Sequence, residues 1–109
     1  MPEETYAEEL DYLVNYTHES LVYFDIVRDA AENIAGPGST EHQIQQVTLR
    51  LVSDMIERGV KVGEPSSNAD EDLVAWDLPK DEILIRIAKE MAVREDPGDF
   101  IDICWFRSG

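Results

Sequence analysis

In the first third of the chain, apolar residues recur every three or four positions, which is the spacing of amphipathic helices. The pattern predicts one helix over residues 3–16 and a second over residues 21–34. Thr17 or Ser20 can cap the start of the second helix, and the Gly-Pro-Gly at 36–38 ends it. The pattern leaves open whether the two helices form one bent rod.

Two further helices follow, and both carry signals at their ends. Thr40 and Gln43 have the spacing of a capping box, a wide apolar stripe comes after them, and Gly59 stands where a left-handed C-cap is expected. This predicts a third helix between Thr40 and Gly59. Pro79 suits the first turn of a fourth helix, whose apolar positions continue to about Val93.

Short strand patterns fill the rest of the chain. Residues 60–62 alternate as a brief strand, residues 63–72 read as a polar turn, and residues 73–76 read as the returning strand of a hairpin. Residues 100–106 are dense in large apolar side chains, which would promote aggregation if they were exposed. We therefore expect the C-terminal segment to dock into the core or to pair along the hairpin as a strand.

These elements predict an α+β fold that is mainly α, with three to four helices and a small β-hairpin or three-stranded antiparallel sheet. A chain of 109 residues with 43% hydrophobic residues suffices for one modest core, so we predict a single domain over residues 1–109. Two or three helices followed by a hairpin is also the order of a winged-helix domain, which we keep as an alternative for the fold.

The chain is strongly acidic: it has 24 Asp and Glu but only nine Lys and Arg, which gives a formal net charge of -15. Arg28 is the only Lys or Arg in residues 1–35, and Lys80 is the only one in residues 64–82. We expect two strongly negative surfaces, which repel nucleic acid and anionic membranes and attract basic proteins. The carboxylates of these segments are Glu3, Glu4, Glu8, Glu9, Asp11, Glu19, Asp25, Asp29, Glu32, Glu64, Asp70, Glu71, Asp72, Asp77, Asp81 and Glu82.

Metal and cofactor motifs are missing from the sequence. Neither histidine stands at ligand spacing with a cysteine or the other histidine. Asn68, Asp70 and Asp72 alternate like the first ligands of a calcium loop, but Leu73 occupies the position of the required glycine and Pro79 that of the bidentate glutamate. We predict no metal site and no cofactor.

The sequence also lacks a catalytic motif. Cys104 lies in the apolar C-terminal segment beside Asp99 and Asp102, which disfavour a reactive thiolate, so we expect it to be buried. We predict no enzymatic activity. One cysteine, no signal-peptide pattern and no apolar run near the roughly twenty residues of a membrane span indicate a cytoplasmic protein.

Several short motifs resemble a group of small bacterial proteins. They are Leu-Arg-Leu-Val at 49–52, Arg-Gly at 58–59, Trp76, the helix that begins at Pro79, and the segment 98–106 with its Asp-Ile-Cys-Trp-Phe. In that group, a two-helix unit ending in Arg-Gly leads into a short strand, a single Trp before a helix, and a terminal Asp-Ile-x-Trp-Phe. The resemblance covers roughly the second half of the chain and concerns the fold more than a site. It implies a link to the small acidic proteins that act as immunity partners of secreted bacterial toxins.

The function hypothesis is an acidic cytoplasmic immunity or inhibitor protein that neutralises a basic toxin domain, above all a nuclease, by occluding its active cleft. We predict that Asp70, Glu71, Asp72 and Asp77 contact the partner, with Trp76 as an aromatic anchor. Ordinary core packing of Trp76 is the alternative for that residue. A non-enzymatic regulatory or adaptor module that binds another basic protein is the alternative for the function.

Overall fold

The computed structural model describes residues 3–65, 73–94, 96, 99–100 and 103–108. Helices and strands follow one another in this part of the chain, and the helices predominate. Their order is α1 (Glu3–Glu19), β1 (Val22–Tyr23), α2 (Phe24–Ala35), α3 (Glu41–Glu57), β2 (Val60–Pro65), β3 (Leu73–Ala75), α4 (Lys80–Val93) and β4 (Trp105–Ser108). The predicted class, α+β and mainly α, is confirmed.

The strands form one antiparallel sheet with the order β1-β4-β2-β3. The C-terminal strand β4 lies inside the sheet, where Phe106 is the register partner of Val22 in β1 and of Val62 in β2. The expectation that the apolar C-terminal segment pairs along the hairpin is therefore confirmed. The sheet has one strand more than predicted, because the two-residue strand β1 was not expected.

The boundary between the first two helices differs from the prediction. Thr17 lies inside α1, where its Oγ1 donates a hydrogen bond to the carbonyl oxygen of Val14 at 2.6 Å. Ser20 follows the end of α1, and α2 begins at Phe24 after Tyr23, which makes no side-chain cap bond. The prediction that Thr17 or Ser20 caps the second helix is wrong, because α1 runs further than expected and β1 separates it from α2.

The ends of α3 agree with the sequence. The backbone N–H of Gln43 donates to Thr40 Oγ1 at 3.1 Å, and the backbone N–H of Thr40 donates to Gln43 Oε1 at 2.9 Å, which completes the capping box. Gly59 follows the helix with φ of 92°, the left-handed conformation that glycine adopts without a steric penalty.

Strand β2 extends beyond the prediction, since it continues to Pro65 instead of turning at Gly63. Gly63 pairs with Trp105 on one side and with Ala75 on the other. A Cβ on Gly63 would overlap backbone atoms of Val74 and Ala75, so this close approach of β3 requires glycine. The remainder of the predicted turn, residues 66–72, lies outside the described residues.

The core lies between the helices and one face of the sheet. The ring of Phe24 is 6.2 Å from that of Phe100 and 6.3 Å from that of Phe106, measured between centroids. Cys104 is buried beside them as predicted. The largest fully buried side chains are those of Phe24, Phe100, Phe106, Leu13, Ile34, Leu51, Met55, Ile87, Val22, Val27, Val52 and Thr17.

Candidate partner-binding site

The helix α1 turns its carboxylates to solvent because its apolar residues face the core at helical spacing. Tyr6, Leu10 and Leu13 are all buried. The helix carries no Lys or Arg, and His18 in its last turn is its one basic residue. The exposed α1 carboxylates that form no ion pair with other described residues are Glu4, Glu8 and Glu19.

The helix α2 adds a second row of carboxylates. Asp25, Asp29 and Glu32 recur at four and three residues, so they lie on one side of the helix, opposite the buried residues Val27 and Ala31. The Asp29 side chain forms no ion pair within the described part of the chain, whereas Glu32 contacts the one arginine of the helix. Asp29 and Glu32 are exposed, whereas Asp25 is half-buried with its Oδ1 shielded from solvent, so the exposed acids of α2 lie toward its C-terminal half.

A groove opens at the C-terminal end of α2. It has a volume of about 530 Å³, and the described residues that line it include Asp29, Glu32 and Asn33 from α2 and Ile44 from α3, together with the loop at 36–39. None of these lining residues is a lysine or arginine. Asn33 Nδ2 donates a hydrogen bond to Glu9 Oε1 at 2.7 Å, which brings a carboxylate of α1 to the same end of α2. We call Asp29, Glu32 and Asn33, with residues 36–39 and Ile44, the acidic groove; Glu9 adjoins it through its contact with Asn33.

The chemistry of the acidic groove suits a cation. Its side chains offer carboxylate and amide oxygens, which accept hydrogen bonds from an ammonium or guanidinium group. Ile44 and the loop at 36–39 add an apolar wall against which the methylene stem of a lysine or arginine can pack. The groove therefore fits a basic side chain that a partner protein inserts.

Arg28 limits the negative charge at one end of this region. Its Nη1 and Nη2 donate to the two carboxylate oxygens of Glu41 at 2.8 and 2.6 Å, and its Nε lies 3.2 Å from Glu32 Oε1. Burial acts to raise the pKa of Glu41, but hydrogen bonds from Arg28 and Gln45 and the charge of Arg28 outweigh it and hold the pKa below the ordinary 4.5. Arg28 thus pairs with Glu41 and Glu32 together, and Asp29 forms no ion pair within the described part of the chain.

The opposite side of α1 is closer to neutral, because α3 supplies arginines there. Arg58 Nη1 lies 2.7 Å from Asp11 Oδ1, and Arg50 Nη2 lies 3.4 Å from Glu3 Oε2. The guanidinium of Arg50 also stands 4.0 Å from the ring centroid of Tyr6. The arginines of α3 therefore compensate the side of α1 that faces α3, and the surplus negative charge remains on the solvent-facing side, at Glu4, Glu8 and Glu19.

Of the five contact residues predicted from the sequence, the structure describes Trp76 and Asp77. Asp70, Glu71 and Asp72 fall outside the described residues. Asp77 is exposed, as predicted for a contact residue, and Trp76 is partly buried. Neither side chain lines the acidic groove.

Trp76 is held by neighbours on both sides. It packs against the core, and the guanidinium of Arg86 lies 3.9 Å from the centroid of its ring. Arg86 Nη2 is 3.2 Å from Glu64 Oε1, so one arginine joins the ring to a carboxylate of β2. Core packing, the alternative for Trp76, describes this environment.

Sequence reasoning did not single out the acidic groove. The signal was present, since Asp25, Asp29 and Glu32 share one helix face just before the Gly-Pro-Gly that ends the helix. What the pattern could not supply was the position of α3 across the loop and the contact of Asn33 with α1. Both depend on packing between elements that are distant in sequence.

Comparisons with protein-family models, with curated proteins and with solved structures found no match for this chain. Within the described residues, no three His, Cys, Asp or Glu side chains group as a metal site requires. No helix in that part of the chain combines the length and the apolar character needed to cross a bilayer.

Proposed function

We propose that this protein is an acidic inhibitor of the immunity type, which binds a basic bacterial toxin domain of the nuclease class and covers its active cleft. The observation that supports this most is the distribution of charge on α1 and α2. Their outer faces carry Glu4, Glu8 and Asp29, which are exposed and form no ion pair with other described residues. A coherent negative surface on a small folded protein is suited to a positive partner.

A nuclease is the preferred partner because its cleft must hold phosphates. Such a cleft is lined with lysine and arginine, and nucleic acid binding depends on the charges that these residues neutralise. Carboxylates presented by a rigid helix pair can occupy the positions of the phosphates and exclude the substrate. Long-range attraction between the two surfaces speeds association, and salt screens that attraction.

The acidic groove gives this surface a specific contact. A lysine or arginine from the rim of the toxin cleft inserts between Asp29 and Glu32, with its stem against Ile44. Asp77 belongs to a second contact region with Asp70, Glu71 and Asp72, as the sequence predicts, whereas the core packing of Trp76 leaves it outside that region.

The alternative is a regulatory or adaptor module that uses the same surface to bind another basic protein. The two functions differ in one measurable respect, because only an inhibitor stops catalysis by the protein that it binds. An adaptor leaves the active site of its partner open.

The test uses the basic domain of a toxin whose gene adjoins that of this protein, as the proposal requires, and measures association rate, affinity and nuclease activity at several salt concentrations. We expect tight binding, loss of nuclease activity at equimolar inhibitor, and an association rate that falls at least about tenfold between roughly 0.02 and 0.3 M salt. Binding without loss of activity would favour the adaptor. An association rate that does not respond to salt would remove the electrostatic basis of both proposals.

Three variants locate the contact, and each replaces one negative charge with one positive charge. Asp29→Lys changes the acidic groove, Asp77→Lys changes the region predicted from the sequence, and Glu19→Lys changes an exposed carboxylate in the last turn of α1. We expect Asp29→Lys to weaken binding about a hundredfold and Glu19→Lys by only a few fold, since removal of a central contact costs more than a change in net charge. A larger loss for Asp77→Lys would assign the main contact to the hairpin side instead.

A further inference from the structure

Helix α4 has charges that cancel, unlike the acidic helices α1 and α2. It carries Lys80, Arg86 and Lys89 against Asp81, Glu82 and Glu90. Two copies of a chain with a charge of -15 repel each other over most of their surface. They meet less repulsion where the outer sides of two α4 helices face each other than where the acidic outer sides of α1 or α2 do.

That outer side is also apolar at exposed positions. Ile83, Ile87 and Met91 face the core. On the other side, Ile85 is 53% exposed and Val93 is 75% exposed, the largest exposure among the large hydrophobic side chains that the structure describes. A groove of about 410 Å³ runs along this side, with Leu78 and Ile85 among its lining residues.

The charged side chains of the outer side form a complementary pattern. Glu82 and Lys89 are both exposed, line the groove beside Ile85, and form no ion pair with the described part of the chain. The other charged lining residues already form ion pairs, Arg86 with Glu64 and Glu90 with Arg94. One acid and one base, two helical turns apart, thus remain available to a partner.

We propose that α4 is the interface of a symmetric homodimer, in which the helices of two copies cross antiparallel with the two-fold axis beside Ile85. This arrangement places Glu82 opposite Lys89 of the second copy, and Lys89 opposite its Glu82. It also places Val93 opposite Leu78 of the second copy, so that both apolar ends of the stripe are covered. A two-fold interface requires a self-complementary surface of this kind, and α4 has it in charge and in apolar pattern.

The dimer is weak because the interface is small. A helix of 14 residues is about 21 Å long, and one pair of such helices buries less surface than a standard stable interface. We expect a dissociation constant on the order of 10 µM or higher, so that the monomer dominates in dilute solution.

Sedimentation velocity over roughly 1 µM to 1 mM protein measures the dissociation constant. Glu82→Lys and Lys89→Glu each place like charges opposite one another at two symmetric positions, and we expect each to weaken the dimer about tenfold. The double variant Glu82→Lys/Lys89→Glu restores opposite charges and is expected to restore the dimer. The single variant Glu82→Lys makes the protein less negative, so an effect of net charge alone would strengthen the dimer, whereas loss of a specific contact weakens it. Rescue by the double variant then assigns the loss to the pairing of residues 82 and 89.

The matched control is Glu8→Lys, which makes the same change in charge on the exposed side of α1. We expect it to leave the dimer unchanged or to strengthen it. The inference is overturned by a monomer at every concentration, by stronger dimerisation of Glu82→Lys, by lack of rescue in the double variant, or by an equal loss in Glu8→Lys.

Cross-linking gives an independent readout. Ile85→Cys places a thiol beside the two-fold axis, and we expect mild oxidation to yield a disulfide-linked dimer at concentrations where the dimer is populated. Tyr12→Cys is the control, because Tyr12 on α1 has the same exposure of 53% and lies outside the interface. Cross-linking of Tyr12→Cys to the same extent as Ile85→Cys, or of neither variant, contradicts the inference.

Discussion

Arg28 forms a bidentate ion pair with Glu41 through Nη1 and Nη2, with N–O distances of 2.8 and 2.6 Å. The pair connects the middle of α2 to the first turn of α3. The Arg28 side chain is only 8% exposed, whereas that of Glu41 is 43% exposed. The arginine is therefore the member of the pair that most depends on its partner. Removing the acceptors of a buried guanidinium destabilises the folded protein, because water cannot reach the group to replace the lost hydrogen bonds.

Glu41→Gln is expected to destabilise the protein by about 1 to 2 kcal/mol. The amide removes the charge and one of the two charge-assisted acceptors, while Arg28 keeps its contact with Glu32. Urea unfolding monitored by circular dichroism at pH 7 measures the loss. Glu8→Gln, which neutralises an exposed carboxylate of α1 without an ion pair to described residues, is the control and should not destabilise. Equal stability of Glu41→Gln and the original protein would contradict the structural role of the pair.

The advantage of Glu41 over glutamine is expected to depend on pH. Because the pKa of Glu41 is lowered in the folded protein, its contribution is fully present above the unfolded value near 4.5 and is lost as pH falls through the folded pKa. Unfolding of both proteins at pH 7, 5, 4 and 3 should show a constant difference at pH 7 and 5 that shrinks at lower pH. A difference that persists unchanged at pH 3 would mean that the glutamate carboxylate is not the source of the effect.

Local signals in the sequence predicted the ends of α3 well. The capping box of Thr40 and Gln43 and the left-handed Gly59 involve residues within one turn of each other, so the sequence spacing determines them. The C-terminal strand was also foreseen, because a dense apolar segment has few alternatives to burial. Its central place in the sheet was not foreseen, since that depends on pairing with β1, which has only two residues and no readable alternation.

The candidate site was harder to predict for the same reason. The pairs Arg50 with Glu3 and Arg58 with Asp11 join residues 47 positions apart, and they determine which side of α1 stays negative. Composition gives the surplus of charge but not the surface on which it remains. The acidic groove depends in addition on the contact between Asn33 and Glu9 from different helices.

Gly63→Ala is expected to cost at least about 2 kcal/mol of stability. The new methyl group would overlap the backbone of Val74 and Ala75, which cannot move aside as a flexible side chain can. Strands β2 and β3 would have to separate. The control is Lys61→Ala in the same strand, an exposed position where the expected change is within about 0.5 kcal/mol. Chemical denaturation of both variants checks this, and similar stabilities for the two would show that β3 does not approach Gly63 closely.

Tyr6→Phe is expected to destabilise the protein by about 1 to 2 kcal/mol. The Tyr6 hydroxyl donates to Asp54 Oδ2 of α3, and burial, followed by the hydrogen bond and charge of Asp54, raises the pKa of Tyr6 above its ordinary 10.0. The contribution is therefore fully present below pH 10 and is lost only as pH rises further. Phenylalanine keeps the ring beneath Arg50, so the variant isolates the hydroxyl. Tyr12→Phe, which removes an exposed hydroxyl, should change stability little, and a loss as large as that of Tyr6→Phe would contradict the assignment.

Salt is expected to stabilise the folded protein despite its ion pairs. At an ionic strength of about 0.01 M the screening length is about 30 Å, which matches the 42 × 30 × 23 Å extents of the molecule, so all carboxylates repel one another. At about 0.15 M that length falls to roughly 8 Å, and the repulsion between distant groups is largely removed. The same salt weakens pairs such as Arg50 with Glu3, but their side chains are 44% and 73% exposed, and pairs of that kind contribute little. Thermal unfolding in rising NaCl should therefore give a rising midpoint, with a smaller rise for Glu8→Gln. A midpoint that falls with salt would show that attraction within the pairs outweighs the repulsion of the acidic surfaces, which would also weaken the electrostatic basis of partner binding.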